Sequence, residues 1–143
     1  MSSRTERAGG FEYFDHDADI GIVGRGHTIE EAFANAARAV FNIPYDLRSV
    51  TPERELTVEF DEPDPEFALV EWLNALLAAS RIEGVVPAEF EIRRDGSRWI
   101  GRAWGTPLRP EIERGTEVKG ATLTALSVTQ RDGVWEARCV VDV

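Results

Sequence analysis

The stretch Ala88-Glu89-Phe90-Glu91-Ile92-Arg93-Arg94-Asp95-Gly96-Ser97-Arg98-Trp99-Ile100-Gly101-Arg102-Ala103-Trp104 decides the fold class. Its first half alternates around Phe90 and Ile92, the period of a strand with one buried face. Asp95-Gly96 is a hairpin signal, because both residues tolerate the positive φ of a tight two-residue turn. Trp99 to Trp104 then returns as the antiparallel partner. The pattern recurs downstream, where Ala121 to Gln130 and Val134 to Asp142 flank Asp132-Gly133. Two such hairpins predict a largely antiparallel sheet or pair of sheets.

Upstream of the hairpins the period changes. Thr28-Ile29-Glu30-Glu31 matches a capping box, and Ala32, Phe33, Ala36, Ala37, Val40 and Phe41 follow at helical spacing. This predicts a helix over about Thr28 to Asn42, stopped by Pro44. Leu56, Val58 and Phe60 alternate with Glu55, Thr57 and Glu59 as a strand. Asp64 is placed as the N-cap and Pro65 as the first residue of a second helix ending near Gly84. Its inward stripe is read as Phe67, Val70, Leu73, Leu76, Leu77 and Ser80, with Trp72 off-centre and set to face a sheet edge or a partner. Phe11 to Phe14 and Ile20 to Val23 are short β-prone runs around an Asp-rich turn or bulge, and Gly24-Arg25-Gly26 punctuates the chain after them. Gly105 to Gly120 reads as a long loop, a kind of segment that usually carries function. Helices and strands alternate only in part, so the class is α+β: a single domain over 11–143, two helices packed on largely antiparallel sheet.

Composition bounds the function. A chain of 143 residues loses roughly 68% of its unfolded surface on folding, enough for one core. With 43% hydrophobic and 29% charged residues it falls in the globular range. The longest apolar run, Ala75 to Ala79, is far short of the roughly 20 residues of a membrane span. Residues 1–10 lack an apolar core and read as a flexible tail, not a signal peptide, which implies a cytoplasmic protein. One cysteine, Cys139, excludes an intrachain disulfide and fits a core thiol. Two histidines leave no material for a Cys/His zinc cluster, so any metal sits on oxygen ligands. A net charge of -10 opposes stand-alone nucleic-acid binding and favours a basic partner or a cation. GxSxG, Walker A, GxGxxG and HExxH motifs are all absent, which removes support for ordinary hydrolase and kinase readings.

Four places can carry chemistry. Asp15, Asp17 and Asp19 either cap and solvate their turn or converge on a hard divalent cation. His16 beside them is a hydrogen-bonded turn residue or a base or ligand. Asp142 is an exposed strand residue, but with the α-carboxylate of Val143 it forms a two-carboxylate device if the chain end folds against a cation. Lys119 is either a surface lysine paired with Glu117 or a functional cation in a glycine-bounded loop.

The segments Phe11-Glu12-Tyr13-Phe14-Asp15-His16-Asp17-Ala18-Asp19-Ile20-Gly21, Thr28-Ile29-Glu30-Glu31-Ala32-Phe33, Trp72-Leu73-Asn74, Gly115-Thr116-Glu117-Val118-Lys119 and Val141-Asp142-Val143, taken in order, resemble the archease family. The resemblance implies a small α+β protein that is not itself an enzyme. It activates a GTP-dependent RtcB-type RNA ligase of tRNA splicing and RNA repair, promoting guanylylation and repeated turnover. It also implies a divalent-metal site at Asp19, Asp142 and Val143, holding Ca2+ first, with Mg2+ or Mn2+ as alternatives, and a functional lysine at Lys119. Asp17 stands where the family usually has threonine. Leu123 and Thr124 stand where it tends to have an aromatic residue and a histidine, a difference that bears on partner contacts. Two other readings accompany this one: a chaperone modulating a tRNA methyltransferase, and a small metal-dependent phosphoesterase.

Overall fold

A computed structural model describes residues 10–143. Residues 1–9 of the expected tail lie outside the described residues; the carbonyl of Gly10 accepts the Arg25 N–H at 2.8 Å. The chain is α+β, with strands β1 (Phe11–His16), β2 (Asp19–Gly26), β3 (Arg54–Asp61), β4 (Val85–Asp95), β5 (Arg98–Pro107), β6 (Gly120–Ala121), β7 (Ser127–Arg131) and β8 (Val134–Asp142). The helices are α1 (Ile29–Phe41) and α2 (Pro65–Glu83). Every pairing is antiparallel. One sheet runs β1-β2-β8, with β6 and β7 sharing the far edge of β8; the other runs β3-β5-β4.

Both helix starts form as their sequences dictate. The Thr28 hydroxyl accepts the Glu31 N–H at 3.0 Å, and the Glu31 carboxylate reaches back to the His27 N–H at 2.6 Å. Asp64 accepts the Glu66 N–H at 2.8 Å, with Pro65 at the first helical position. Gly84 ends α2 at φ +66, where a side chain would be strained.

The helices lie between the sheets. α1 packs on β2 and β4, and α2 touches β3, β6 and β7, closing the gap between the edges of the two sheets. Gly24 and Gly26, read from sequence as punctuation, lie inside β2 because α1 crosses its backbone directly: a Cβ on Gly24 would stand 2.3 Å from Ala32 O and Ala36 N. The stripe of α2 also differs from the expected one. Its buried residues are Ala68, Leu69, Trp72, Leu73, Leu76, Leu77 and Ser80, whereas Phe67 is 49% exposed and Val70 only half-buried. Trp72 sits at the centre of the core, its ring flat on Gly101 and its Nε1–H donating to Phe33 O at 2.9 Å. Burying such side chains contributes roughly 1.5–3 kcal/mol each. Phe33, Trp99 and Phe60 stack beside it, at centroid spacings of 5.0 and 6.1 Å.

Two further expectations are corrected. The strand over Ala121 to Gln130 is broken into β6 and β7 by a turn with Ala125 at φ 54, where the Thr122 hydroxyl donates to Val140 O at 2.8 Å. The loop expected from Gly105 begins only after Pro107 and contains a 3-10 turn at Pro110–Ile112.

Candidate functional site

The Asp-rich segment folds as a hairpin whose two-residue turn is Asp17-Ala18, with Asp17 at φ 53. Its register decides which carboxylates can cooperate. Asp15 pairs with Ile20 and His16 pairs with Asp19. Cross-strand partners share a face, so Asp15 and Asp19 project to opposite sides of the sheet. The trio Asp15, Asp17 and Asp19 therefore does not converge; His16 is the residue that shares the face of Asp19. The 3.9 Å contact of His16 Nδ1 with the exposed Asp17 carboxylate contributes little.

The end of β8 supplies what the hairpin lacks. β8 runs between β2 and β6, with Ile20 opposite Val141 and Gly120 opposite Asp142. The Val143 N–H donates to Asp19 Oδ1 at 3.3 Å, and the Lys119 N–H donates to Asp142 O at 2.7 Å. Asp19, Lys119, Asp142 and Val143 are thus drawn to one end of one sheet from three separate parts of the chain. Asp19 and Val143 are half-buried, while Lys119 and Asp142 are exposed. Among the described residues Lys119 forms no ion pair, so of its two readings the one pairing it with Glu117 is not realised.

Two α2 side chains hold the Lys119 loop in place. The Asn74 amide spans the main chain of Ala121, accepting its N–H at 2.8 Å and donating to its carbonyl at 3.3 Å, as a neighbouring strand would. Arg81 donates through Nη2 to Val118 O at 2.5 Å, with Lys119 O at 3.4 Å. The seven-residue spacing places Asn74 and Arg81 on one side of the helix, and buried Val118 pins the loop between them. Sequence reasoning assigned neither residue to the site. The signals were present: Asn74 closes the Trp72-Leu73-Asn74 triplet, and Arg81 is the one basic residue of α2. A cleft of about 360 Å³ lies beside the loop, lined by Phe41, Tyr45, Leu77, Arg81, Glu113 and Thr116. Burial, with the Glu113 carboxylate adding to it, holds the Tyr45 hydroxyl above its ordinary pKa.

The sheet face carrying Asp19 and Asp142 has its own cover. The Phe14 ring lies on Gly21, and the Arg138 guanidinium sits 4.5 Å above that ring. Val23 and Val140 beneath are buried. Cys139 points to the opposite, inner face as a core thiol, and burial pushes it up to about 12. Among the described residues no three His, Cys, Asp or Glu side chains stand close enough to hold a metal ion together. A cation at this end would draw on Asp19, Asp142 and main-chain oxygens. That all-oxygen donor set fits a hard divalent cation and not zinc.

The family model described as the Archease protein family matches residues 11–143. The chain is 37% identical to protein archease of Methanosarcina mazei, over 93% of this chain and 95% of that protein. The solution structure of Methanobacterium thermoautotrophicum protein 1598 superimposes with a TM-score of 0.81 at 32% identity, covering 94% of this chain and 99% of that one. The crystal structure of an archease from Thermotoga maritima, described as a possible chaperone, shares the fold with a TM-score of 0.63 at 20% identity, over 92% of this chain and 96% of that one. No helix among the described residues is long and apolar enough to cross a membrane.

Proposed function

The chain belongs to the archease family, and from that premise we propose that it is a non-enzymatic activator of a GTP-dependent RtcB-type RNA ligase, acting in the cytoplasm through the end of the sheet where Asp19, Lys119, Asp142 and Val143 meet. The observation that carries this reading is the Val143 N–H to Asp19 bond at 3.3 Å, which brings the β8 end onto the acidic hairpin. In this reading Asp19, Asp142 and Val143 hold a divalent cation, Ca2+ first and Mg2+ or Mn2+ as alternatives. Such a cation supplies neutralisation of phosphate charge when bound.

The chain's own residues do the rest. Lys119, with its main chain fixed to Asp142 and its ammonium unpaired among the described residues, is set to project toward a partner's phosphates or carboxylates. Positioning and charge neutralisation supply most of the acceleration in guanylyl transfer, so a well-placed lysine from an accessory protein is chemically sufficient to matter. With a net charge of -10, the chain is drawn to the basic RNA groove of a ligase and gains in encounter rate, while RNA competes for the same surface. Stable direct binding of nucleic acid is not part of this role.

Ligase guanylylation measured with the parent and with folded Asp19→Ala, Lys119→Ala and Asp142→Ala variants tests the proposal. Loss of stimulation in each variant is expected. Full stimulation by all three would overturn it.

A further inference from the structure

Five large hydrophobic side chains are exposed among the described residues, and four of them surround α2. Phe67 and Ile82 belong to the helix, at 49% and 80% exposure. Leu108 is tied to its C-cap, where the Leu108 N–H donates to Gly84 O at 2.9 Å. Leu123 lies two residues beyond Ala121, which Asn74 grips, and is 61% exposed. On the helical wheel Phe67, Glu71, Ala78 and Ile82 form one outward stripe away from the buried stripe centred on Leu69 and Leu76, with Ala75 partly buried against the core at its margin and Asn74 and Arg81 flanking it on the loop side. An ordinary surface helix presents charge there; α2 presents mostly apolar and small residues. The stripe faces out between the β3 edge of one sheet and the β6–β7 edge of the other, beside the loop that carries Lys119.

Charge says what covers it. From Glu62 to Gly84 the chain carries Glu62, Asp64, Glu66, Glu71 and Glu83 against a single basic residue, Arg81, while Asp61 before them is paired with Arg98 at 2.9 Å. Arg81 is already engaged with the carbonyl of Val118. An apolar stripe rimmed by carboxylates on a chain of net charge -10 repels a second copy of itself and suits a surface with an apolar centre and a Lys/Arg rim. We infer that the outward stripe of α2, extended by Leu123, is the docking surface for a basic protein partner, seating that partner so that Lys119 reaches it. The inference rests on the reading of the chain as a ligase activator and adds where the ligase sits.

The test measures binding and stimulation separately on the full chain with a purified RtcB-type ligase. Ile82→Lys places a cation in the stripe at the last turn of α2, where a positive charge suits the helix terminus, so the fold is retained. It is expected to weaken the Kd at least tenfold at unchanged Tm; Phe67→Lys, in the first turn where a cation opposes the helix dipole, is expected to weaken it likewise at a slightly lower Tm. Asp19→Asn is expected to leave the Kd within twofold while abolishing stimulation of guanylylation. Parent-like binding by a Phe67→Lys/Ile82→Lys double variant overturns the docking surface even if Asp19→Asn behaves as expected, which leaves the activator reading standing. Absence of binding by the parent overturns both. A parent dimer in sedimentation that Ile82→Lys dissolves assigns the stripe to a second copy and also overturns the inference.

Discussion

The main-chain N–H of Val143 donates to the Asp19 carboxylate at 3.3 Å, joining positions 124 residues apart and fixing the β8 end against the β1–β2 turn. The bond separates two roles for Asp19, because an amide oxygen can accept the same N–H without carrying charge. Asp19→Asn is expected to change folding stability by less than about 1 kcal/mol in urea melts. The same variant is expected to lose the calcium binding proposed for the parent in titration calorimetry, since a hard cation depends on ligand charge. Parent-like calcium affinity in Asp19→Asn removes Asp19 from the proposed cation site.

Asn74 stands in for a strand along Ala121, so its loss is felt in the loop more than in the core. Asn74→Ala removes two hydrogen bonds and is expected to cost about 1–2 kcal/mol. Hydrogen exchange is the direct measurement: the amides of Lys119 and Ala121 are expected to lose protection while those of β2 keep theirs. Stimulation of the ligase is expected to fall with it, because Lys119 keeps its charge and loses its anchor. Unchanged exchange at Ala121 would show that β8 alone positions the loop.

Much of this arrangement was legible in the sequence, and the exceptions share a cause. Thr28 with Glu31 and Asp64 with Pro65 set both helix starts, because capping is local chemistry. Asp132-Gly133, both at positive φ, turns the last hairpin as read, whereas the β4–β5 hairpin turns one residue later, on Gly96-Ser97, with Asp95 still paired to Arg98 in β4. The stripe of α2 was misread because apolar residues lie on both its faces, and periodicity cannot choose between them. Gly101 chooses, by opening a slot for the Trp72 ring, and Phe33 O chooses, by accepting its N–H; both are distant in sequence. The candidate site was readable only in its parts: Asp19 is one of three clustered aspartates, Lys119 stands beside Glu117 and Asp142 at a strand end, and the family resemblance, not spacing, singled these residues out. The supporting pair Asn74 and Arg81 was not readable, because their partners are main-chain atoms of a loop that has no signature of its own.

Gly24 offers a sharp test of the helix-on-strand packing. A methyl group there would meet Ala32 O and Ala36 N at 2.3 Å, and these are backbone atoms that cannot swing aside. Gly24→Ala therefore forces α1 away from β2 and is expected to cost at least about 2 kcal/mol, at the upper end of overpacking effects. Thr28→Ala, which removes only the cap of the same helix, is expected to cost about 1 kcal/mol. A urea midpoint for Gly24→Ala no lower than that of Thr28→Ala would contradict the close contact.

Alkaline pH should destabilise the protein through groups held protonated by the fold, Cys139 and Tyr13 foremost and Tyr45 with them. Burial raises the Cys139 thiol from 9.0 to about 12, and burial is also the main cause that raises the Tyr13 hydroxyl, donated to Ala39 O at 2.7 Å, from 10.0 to about 12. In each case the unfolded chain releases its proton at lower pH than the folded one. The stability these neutral groups contribute is therefore complete below about pH 9 and drains away as pH rises from there toward 12. Cys139 is fully buried, whereas the Tyr13 side chain is 41% exposed and partly screened by water, so the thiol dominates. Urea denaturation at intervals from pH 8 to pH 11 is expected to show a falling free energy that Cys139→Ala flattens more than Tyr13→Phe. Native Cys139 is expected to resist alkylation over the lower half of that range, because the reactive thiolate forms only when the chain opens. An undiminished slope in Cys139→Ala would assign the alkaline loss to other groups.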